Sequence, residues 1–279
     1  MIIASTEYHS VSEVNAKGLM GDMRLLIEKA ISVNADIILL PAFIGCLYDM
    51  IRNGRGSVKE LFERPGGFFL EDMQRLSAEY KIHICPGSFW EQENGRVYHA
   101  SCILHNGEII VKQRQLYLAR WERDFGLERG TKTSLADIGG RKIGIIVSTD
   151  VFYPQVSREL ALKGADVVLC PAAFIGERND AVQLSGMWQQ TQQNLFFAVE
   201  SGYNGPIGEL LLWGQSNIYA PLEMTEHEDG FLVHNQENKP FIFCSLDNEK
   251  RKAAVAKFDV LGQLNKELYH SMRLFSGDH

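Results

Sequence analysis

The sequence lacks the features that would place it in several specialised classes. Its five cysteines are odd in number, widely scattered and without a CxxC pair, so we expect reduced thiols and no metal site. No apolar run approaches the ~18 residues of a membrane span. The first residues, MIIASTEYHS, have no basic region before an apolar stretch, unlike a signal peptide. We therefore expect a cytoplasmic protein with no membrane partner.

Positive charge is also scarce. The chain has 28 Lys and Arg residues against 35 Asp and Glu residues, a net charge of −7. A nucleic-acid groove needs clustered Lys and Arg, so we expect no nucleic-acid partner. What the sequence does have is an ordinary globular composition, with 45% hydrophobic and 23% charged residues.

Strand-like and helix-like blocks alternate along the chain. MIIAST and ADIILLP predict strands, and the apolar spacing over 23–31 predicts a helix between them. Three further strand-like runs are joined by EQENG and HNG, which are typical of hairpin turns. RKIGIIV, QVSRELALKG and ADVVLCP predict a βαβ unit. This pattern fits two packed sheets with helices outside, and equally a doubly wound single sheet.

The domain organisation is simple. The sequence has no internal repeat, low-complexity linker or break in composition, which predicts one domain over residues 1–279 with 248–279 as its C-terminal extension. The residues after Ala42, including Cys46, are predicted to form a loop.

Three stretches resemble the nitrilase, or carbon–nitrogen hydrolase, superfamily. ADIILLPAF is similar to the family's strand ending in Pro-Glu, NGEIIVKQRQLYL to its lysine strand, and IGIIVSTDVFYPQ to its cysteine turn. The likeness runs in the expected order along roughly the whole chain. It implies an α/β fold, a four-layer αββα sandwich that often forms dimers. It also implies amide or nitrile cleavage by a cysteine thiolate, with a glutamate base, a lysine and no cofactor.

The sequence departs from the family at all three catalytic positions. Ala42 stands in place of the glutamate, Gln115 in place of the lysine and Ser148 in place of the cysteine. A serine is a poor nucleophile without a base, and neither alanine nor glutamine carries a charge. The joint loss avoids leaving one charge buried and unpaired, which costs on the order of 3–5 kcal/mol. These positions predict a protein without thiol amidase activity that acts as a ligand-binding, regulatory or assembly module.

Glu122, in ARWERDF, lies where many family members carry a second glutamate. It is either a carboxylate of the pocket or a surface residue paired with Arg120 or Arg123. The alternative function is an active amide or nitrile hydrolase with a relocated nucleophile, Ser148 or Cys46, and Glu122 as its base.

A ligand pocket beside the Ser148 turn would take its lining from residues near that turn. The candidates are Cys46, Thr149, Phe152, Tyr153, Cys170 and Phe174. Taken singly, each of these residue types is more often part of the core. His99 stands where the family has an asparagine, and no third metal ligand accompanies it and His105. We expect a small amide- or carboxylate-bearing ligand and, from the resemblance, a homodimer or higher homo-oligomer.

Overall fold

The structure is a computed structural model that describes residues 1–10 and 14–268. The strands are β1 (Ile2–Thr6), β2 (Tyr8–His9), β3 (Ile37–Leu39), β4 (His83–Cys85), β5 (Ser88–Glu93), β6 (Arg96–His105), β7 (Glu108–Arg114), β8 (Leu135–Ile138), β9 (Arg141–Ile145), β10 (Val167–Pro171), β11 (Phe174–Ile175), β12 (Phe197–Ser201), β13 (Tyr203–Ile207), β14 (Leu210–Trp213), β15 (Asn217–Tyr219), β16 (Phe231–His234) and β17 (Phe241–Ser245). The α-helices are α1 (Ala16–Ser32), α2 (Ile44–Arg52), α3 (Val58–Glu63), α4 (Phe68–Tyr80), α5 (Arg120–Phe125), α6 (Pro154–Leu162), α7 (Asp180–Gln183), α8 (Gln189–Asn194) and α9 (Asn248–Phe258).

Most strands belong to two large sheets. The first has the order β17-β1-β3-β4-β6-β5, with β7 also paired to β6, and the second has the order β16-β15-β12-β10-β9-β8. The centre of each sheet is parallel: β1, β3 and β4 in the first, and β9, β10 and β12 in the second. A smaller sheet has the order β11-β14-β13-β2.

Alternating side chains divide the core into three apolar layers. Ile37 and Leu39 of β3 pack between the two large sheets, while Ile38 of the same strand faces the helices α1 and α4. In the second sheet, Ile145 faces the first sheet and Ile146 faces α6. This alternation follows from the two-residue period of a strand. The layers therefore run helix, sheet, sheet, helix, so the predicted αββα sandwich is confirmed and a single doubly wound sheet is excluded.

Helix α1 shows how local sequence produces an outer layer. Asn15 caps the helix by accepting the Gly18 N–H at 2.9 Å, which satisfies one of the free donors of the first turn. The buried residues Leu19, Met23, Ile27 and Ala30 recur every three or four positions and form one apolar face. The amphipathic spacing seen in the sequence therefore becomes a helix that packs on the first sheet.

The predicted loop around Cys46 is wrong. Residues Ile44–Arg52 form α2, and most of its side chains are buried. Gly45 lets this helix approach β5 closely, because a Cβ at that position would lie 2.5 Å from the Cβ of Phe89. A glycine, a cysteine and an aspartate within nine residues hid the helical spacing, and tertiary packing outweighs their low helix propensity.

The C-terminal extension begins with α9, and residues 269–279 lie outside the described part of the chain. Within residues 1–10 and 14–268, no helix has the combined length and apolar character that crossing a membrane takes.

A buried carboxylate lies inside the layer that covers the second sheet. Glu200 of β12 accepts hydrogen bonds through Oε2 from the Tyr219 hydroxyl at 2.6 Å and the Gln183 amide at 2.5 Å. Its Oε1 atom has no partner among the described residues. Burial raises the pKa of Glu200 to about 7, because an ionised carboxylate is poorly solvated in the interior.

This carboxylate predicts a pH-dependent difference between the protein and its Glu200→Gln variant. The folded protein holds the Glu200 proton up to about pH 7, whereas an unfolded chain releases it near pH 4.3. The wild type therefore loses stability relative to the variant as pH rises between those values, by roughly 1.4 kcal/mol per pH unit at most. Urea unfolding of both proteins from pH 5 to pH 8 measures this difference. A difference that does not change with pH would contradict it.

Candidate functional site

The residues at two strand ends adopt a strained backbone. Ser148 follows β9 with a φ of +49°, and Phe43, directly after Ala42 and β3, has a φ of +55°. Non-glycine residues pay about 1–2 kcal/mol for this left-handed conformation. Such strain is common where a strand turns sharply into a helix to present a nucleophile. The turn geometry of a nucleophile site is therefore present at Ser148.

A close backbone contact fixes the position of Ala42. Gly87 has a φ of +80°, and a Cβ at this position would lie 1.9 Å from the carbonyl oxygen of Pro41. In addition, the Phe43 N–H donates to the hydroxyl of Ser88 at 2.8 Å. The chain around Ala42 is thus pressed against the start of β5, and Ala42 has no exposed surface.

Gln115, just after β7, lies at the centre of a buried polar network. Its Nε2 atom lies 2.7 Å from Glu122 Oε2, 2.8 Å from Thr149 Oγ1 and 3.1 Å from the Tyr117 carbonyl oxygen. Its Oε1 atom lies 2.6 Å from His99 Nδ1. An amide supplies two N–H donors and one acceptor oxygen, so the polar group of Gln115 is fully used by its neighbours.

His99 joins this network to Ser88. Its Nδ1 atom faces two acceptors, Gln115 Oε1 and, at 2.9 Å, Glu122 Oε1. This nitrogen must therefore carry a hydrogen. Its Nε2 atom lies 2.8 Å from the Ser88 hydroxyl. In the neutral tautomer with hydrogen on Nδ1, Nε2 accepts the Ser88 hydroxyl hydrogen, and each polar atom of the imidazole has a partner.

Glu122 is buried and does not form the surface ion pair that was one of its two predicted roles. It lies in the first turn of α5 and accepts the backbone N–H of Ala119 at 2.7 Å through Oε2, which caps the helix. Arg120 instead pairs with Asp124, with 3.8 Å between Arg120 Nε and Asp124 Oδ2. The carboxylate of Glu122 thus points into the network with His99 and Gln115.

The hydroxyl of Ser148 takes no part in that network. Among the described residues its hydrogen-bond partner is the carbonyl oxygen of Ala173, at 3.4 Å. The neighbouring Thr149 donates to the Tyr117 carbonyl at 3.0 Å. Because no imidazole or carboxylate of the described residues forms a hydrogen bond with it, the Ser148 hydroxyl lacks the base that a serine nucleophile needs.

Asp150 fastens the Ser148 turn to the end of β7. Its carboxylate accepts the Leu116 N–H at 2.9 Å and the Tyr117 N–H at 2.6 Å. Burial raises the pKa of Asp150 to about 8, although these two donors act in the opposite direction. The role of Asp150 is to position the turn.

A Carbon-nitrogen hydrolase family model matches residues 3–222. The chain belongs to this family. Among similar members, the Omega-amidase NIT2 of Danio rerio is 22% identical over 229 residues, which cover 78% of this chain and 80% of that protein. The Probable hydrolase YhcX of Bacillus subtilis is 24% identical over 205 residues, 70% of this chain. The alignment covers only 40% of YhcX, so the chain spans less than half the length of that relative.

Solved structures of the family share the fold. An amidase from Nesterenkonia sp. AN1 superposes with a TM-score of 0.78 at 18% identity, covering 98% of this chain and 97% of that one. Nit3 of Saccharomyces cerevisiae, described as a member of branch 10 of the nitrilase superfamily, has a TM-score of 0.73 at 17% identity and covers 92% and 93% of the two chains. At identities of 17–18%, this similarity is evidence for the fold alone.

Four of the five cysteines are buried thiols, and Cys244 is half-buried. Cys46 lies in α2 and Cys170 in β10, and burial raises the pKa of each thiol well above its usual value. Cys85, at the end of β4, has a pKa raised to about 12 for the same reason. A thiol with such a pKa supplies very little thiolate near pH 7.

The aromatic candidates form one tilted pair and one stacked pair near the Ser148 turn. The rings of Phe152 and Phe174 have centroids 5.0 Å apart, and those of Tyr153 and Tyr117 lie 4.0 Å apart. Their role as pocket walls stays a prediction. Within the described chain, no three His, Cys, Asp or Glu side chains are grouped as a metal site would need.

Sequence reasoning missed Ser88 and the central position of His99. The EQENG turn fixes a hairpin in which Ser88 lies opposite Ser101 and Trp90 opposite His99. This register makes Ser88 and His99 diagonal neighbours on one face. The pairing was thus present in the sequence, although without a short motif to mark it.

Proposed function

We propose that this carbon–nitrogen hydrolase family member does not cleave amides through a thiol and acts as a ligand-binding, regulatory or assembly module. The observation that carries the proposal is the environment of the three triad-equivalent positions. Ala42 supplies no base and Gln115 supplies no positive charge. The Ser148 hydroxyl donates a hydrogen bond to the carbonyl oxygen of Ala173. The chemistry of the family needs a base for the nucleophile and a positive group for the oxyanion.

The hydrogen bonds of Gln115 support a stable, uncharged replacement for the lysine. Its amide meets Glu122, His99 and Thr149 at 2.6–2.8 Å, and it has no exposed surface. A water or ligand entering this site would have to break hydrogen bonds that the Gln115 amide already forms. Ligand binding is therefore proposed beside this network, near the aromatic pairs, for a small amide- or carboxylate-bearing molecule.

One observation favours a second candidate function, hydrolysis with Ser88 as the nucleophile in place of the Ser148 or Cys46 expected from the sequence. Ser88, His99 and Glu122 lie in the order of an acyl-transfer triad, with distances of 2.8 Å and 2.9 Å. However, Ser88 and His99 have no exposed surface, and the Ser88 hydroxyl already accepts the Phe43 N–H. A substrate carbonyl cannot reach Ser88 in this arrangement, so we favour the non-hydrolytic function.

A substrate panel tests the proposal. The purified protein is incubated with short amides, ω-amides and nitriles while ammonia is measured; ω-amides are included because one relative is named an omega-amidase. We expect the same rate as with heat-denatured protein. Saturable ammonia release that is lost in Ser148→Ala would overturn the proposal, and loss in Ser88→Ala would place the nucleophile at the alternative site.

We also propose a cytoplasmic location and a homodimer or higher homo-oligomer. Five free cysteines support a reducing compartment. Exposed leucines such as Leu162 and Leu211, at 56% and 55% exposure, offer apolar contact surface. Light scattering during size-exclusion chromatography measures the assembly, and a monomeric mass would contradict it.

A further inference from the structure

The two faces of β7 have different chemistry. Gln113 of β7 and Gln115 just beyond it point inward and are buried, whereas Lys112 and Arg114 point to the other face. The guanidinium of Arg114 lies 3.7 Å from the centre of the Tyr98 ring on the neighbouring strand β6. This outer face has no part in the site described above.

A cleft of about 450 Å³ opens on this outer face. Its walls are β6, β7 and residues 129–134, and it is within the size range of small-molecule sites. Five cationic side chains line it against one glutamate, Glu93. The cations are Arg96, Lys112, Arg114, Arg129 and Lys132. Five cations therefore line one cavity in a chain whose net charge is −7.

Three of these cations have no anionic partner within the described part of the chain. Lys112 and Arg114 form ion pairs with Glu91 or Glu93. By contrast, Arg96, Arg129 and Lys132 are exposed and make no ion pair with any described residue. Like charges that converge without counter-ions repel one another. The cleft is therefore poised to accept an anion.

The loop that carries Arg129 and Lys132 is held in place. The Gly130 N–H donates to the Gln115 carbonyl at 2.7 Å. The Gln113 side chain accepts the Ser134 N–H and donates to the Lys132 carbonyl, both at 3.0 Å. A Cβ on Gly130 would lie 2.8 Å from the Cβ of Arg114. The loop is thus fastened against β7 before any ligand arrives, which lowers the entropy cost of binding.

We propose that this cleft binds a compact anion with three or more negative charges, of the oligophosphate class. About three negative charges would neutralise the three cations that form no ion pair with a described residue. An Arg guanidinium can also bind two phosphate oxygens at once. The limited volume of the cleft, about 450 Å³, favours a small molecule over a long polyanion. The proposal does not depend on whether the Ser148 site is silent.

Isothermal titration of the whole protein with inorganic tripolyphosphate in 50 mM salt tests this site. We expect saturable binding at one ligand per chain that weakens as salt is raised, because the contacts are electrostatic. The Arg129→Ala/Lys132→Ala variant should bind at least tenfold more weakly. The Glu93→Gln variant should bind several-fold more tightly, because it removes the glutamate that neutralises Arg114.

The matched control is Lys17→Ala/Lys59→Ala, which removes the same charge from exposed positions in α1 and α3. It should bind like the wild type. An equal loss of affinity in this control, or no loss of affinity in the Arg129→Ala/Lys132→Ala variant, would overturn the proposed site. Citrate that binds as tightly as tripolyphosphate would overturn the phosphate assignment, and tighter binding of heparin would show a diffuse patch instead of a cleft.

Discussion

Replacing Gly87 with alanine is expected to lower the free energy of unfolding by about 3 kcal/mol. Two physical costs add at this position. The φ of +80° disfavours any residue with a Cβ, and the new Cβ would meet the Pro41 carbonyl at 1.9 Å. Since that carbonyl belongs to the backbone, β3 or β5 must move to relieve the contact. Urea unfolding of the variant and the wild type measures the loss.

Gly67 supplies the matched control. Its φ is +90°, but a Cβ there would have no atom within 4 Å. The Gly67→Ala variant therefore pays only the conformational cost, about 1 kcal/mol. Equal losses in the two variants would show that the contact between Gly87 and Pro41 does not fix the chain around Ala42.

Replacing Glu122 with leucine is expected to destabilise the protein by about 3 kcal/mol. The carboxylate accepts hydrogen bonds from His99, Gln115 and the Ala119 backbone. Its removal leaves buried donors with fewer acceptors, and each unsatisfied donor carries a desolvation penalty. Thermal and urea unfolding at pH 7 measure the effect.

Two further variants separate the network from a general effect on α5. Asp124→Leu changes an exposed acid of the same helix and should alter stability by less than about 0.5 kcal/mol. Glu122→Gln keeps the shape, and its amide oxygen can still accept the His99 Nδ1–H, so it loses only the contacts of Oε2 and should cost less than Glu122→Leu, about 1–2 kcal/mol. A loss in Asp124→Leu as large as in Glu122→Leu would mean that helix α5, and not the buried network, carries the stability.

Much of the fold was predictable because it depends on local patterns. The apolar spacing over 23–31 predicted α1, and Gly164, with a φ of +87°, lies just beyond the end of α6, where the predicted helix QVSRELALKG closes. The two Asn-Gly turns of the first sheet have the positive φ values that hairpins require. The choice between one sheet and two was not available from periodicity, since a strand buried on both faces has the same pattern in either fold.

The site was predictable only in part, because its contacts cross between elements. The motif resemblance pointed to Ala42, Gln115 and Ser148, yet it did not indicate what would bind Gln115. That depends on the β5–β6 hairpin, which brings Ser88 and His99 together, and on α5, which turns Glu122 inward. The helix at Cys46 was missed for a similar reason: the packing of Gly45 against Phe89 is a tertiary contact.

We propose that the scaffold around Ser148 holds no working hydrolase. Ammonia release from short amides, followed side by side for the wild type, Ser148→Ala and Ser88→Ala, tests it most directly. We expect three identical traces at the rate of the uncatalysed reaction. Wild-type turnover that saturates with substrate and disappears in either variant would contradict it.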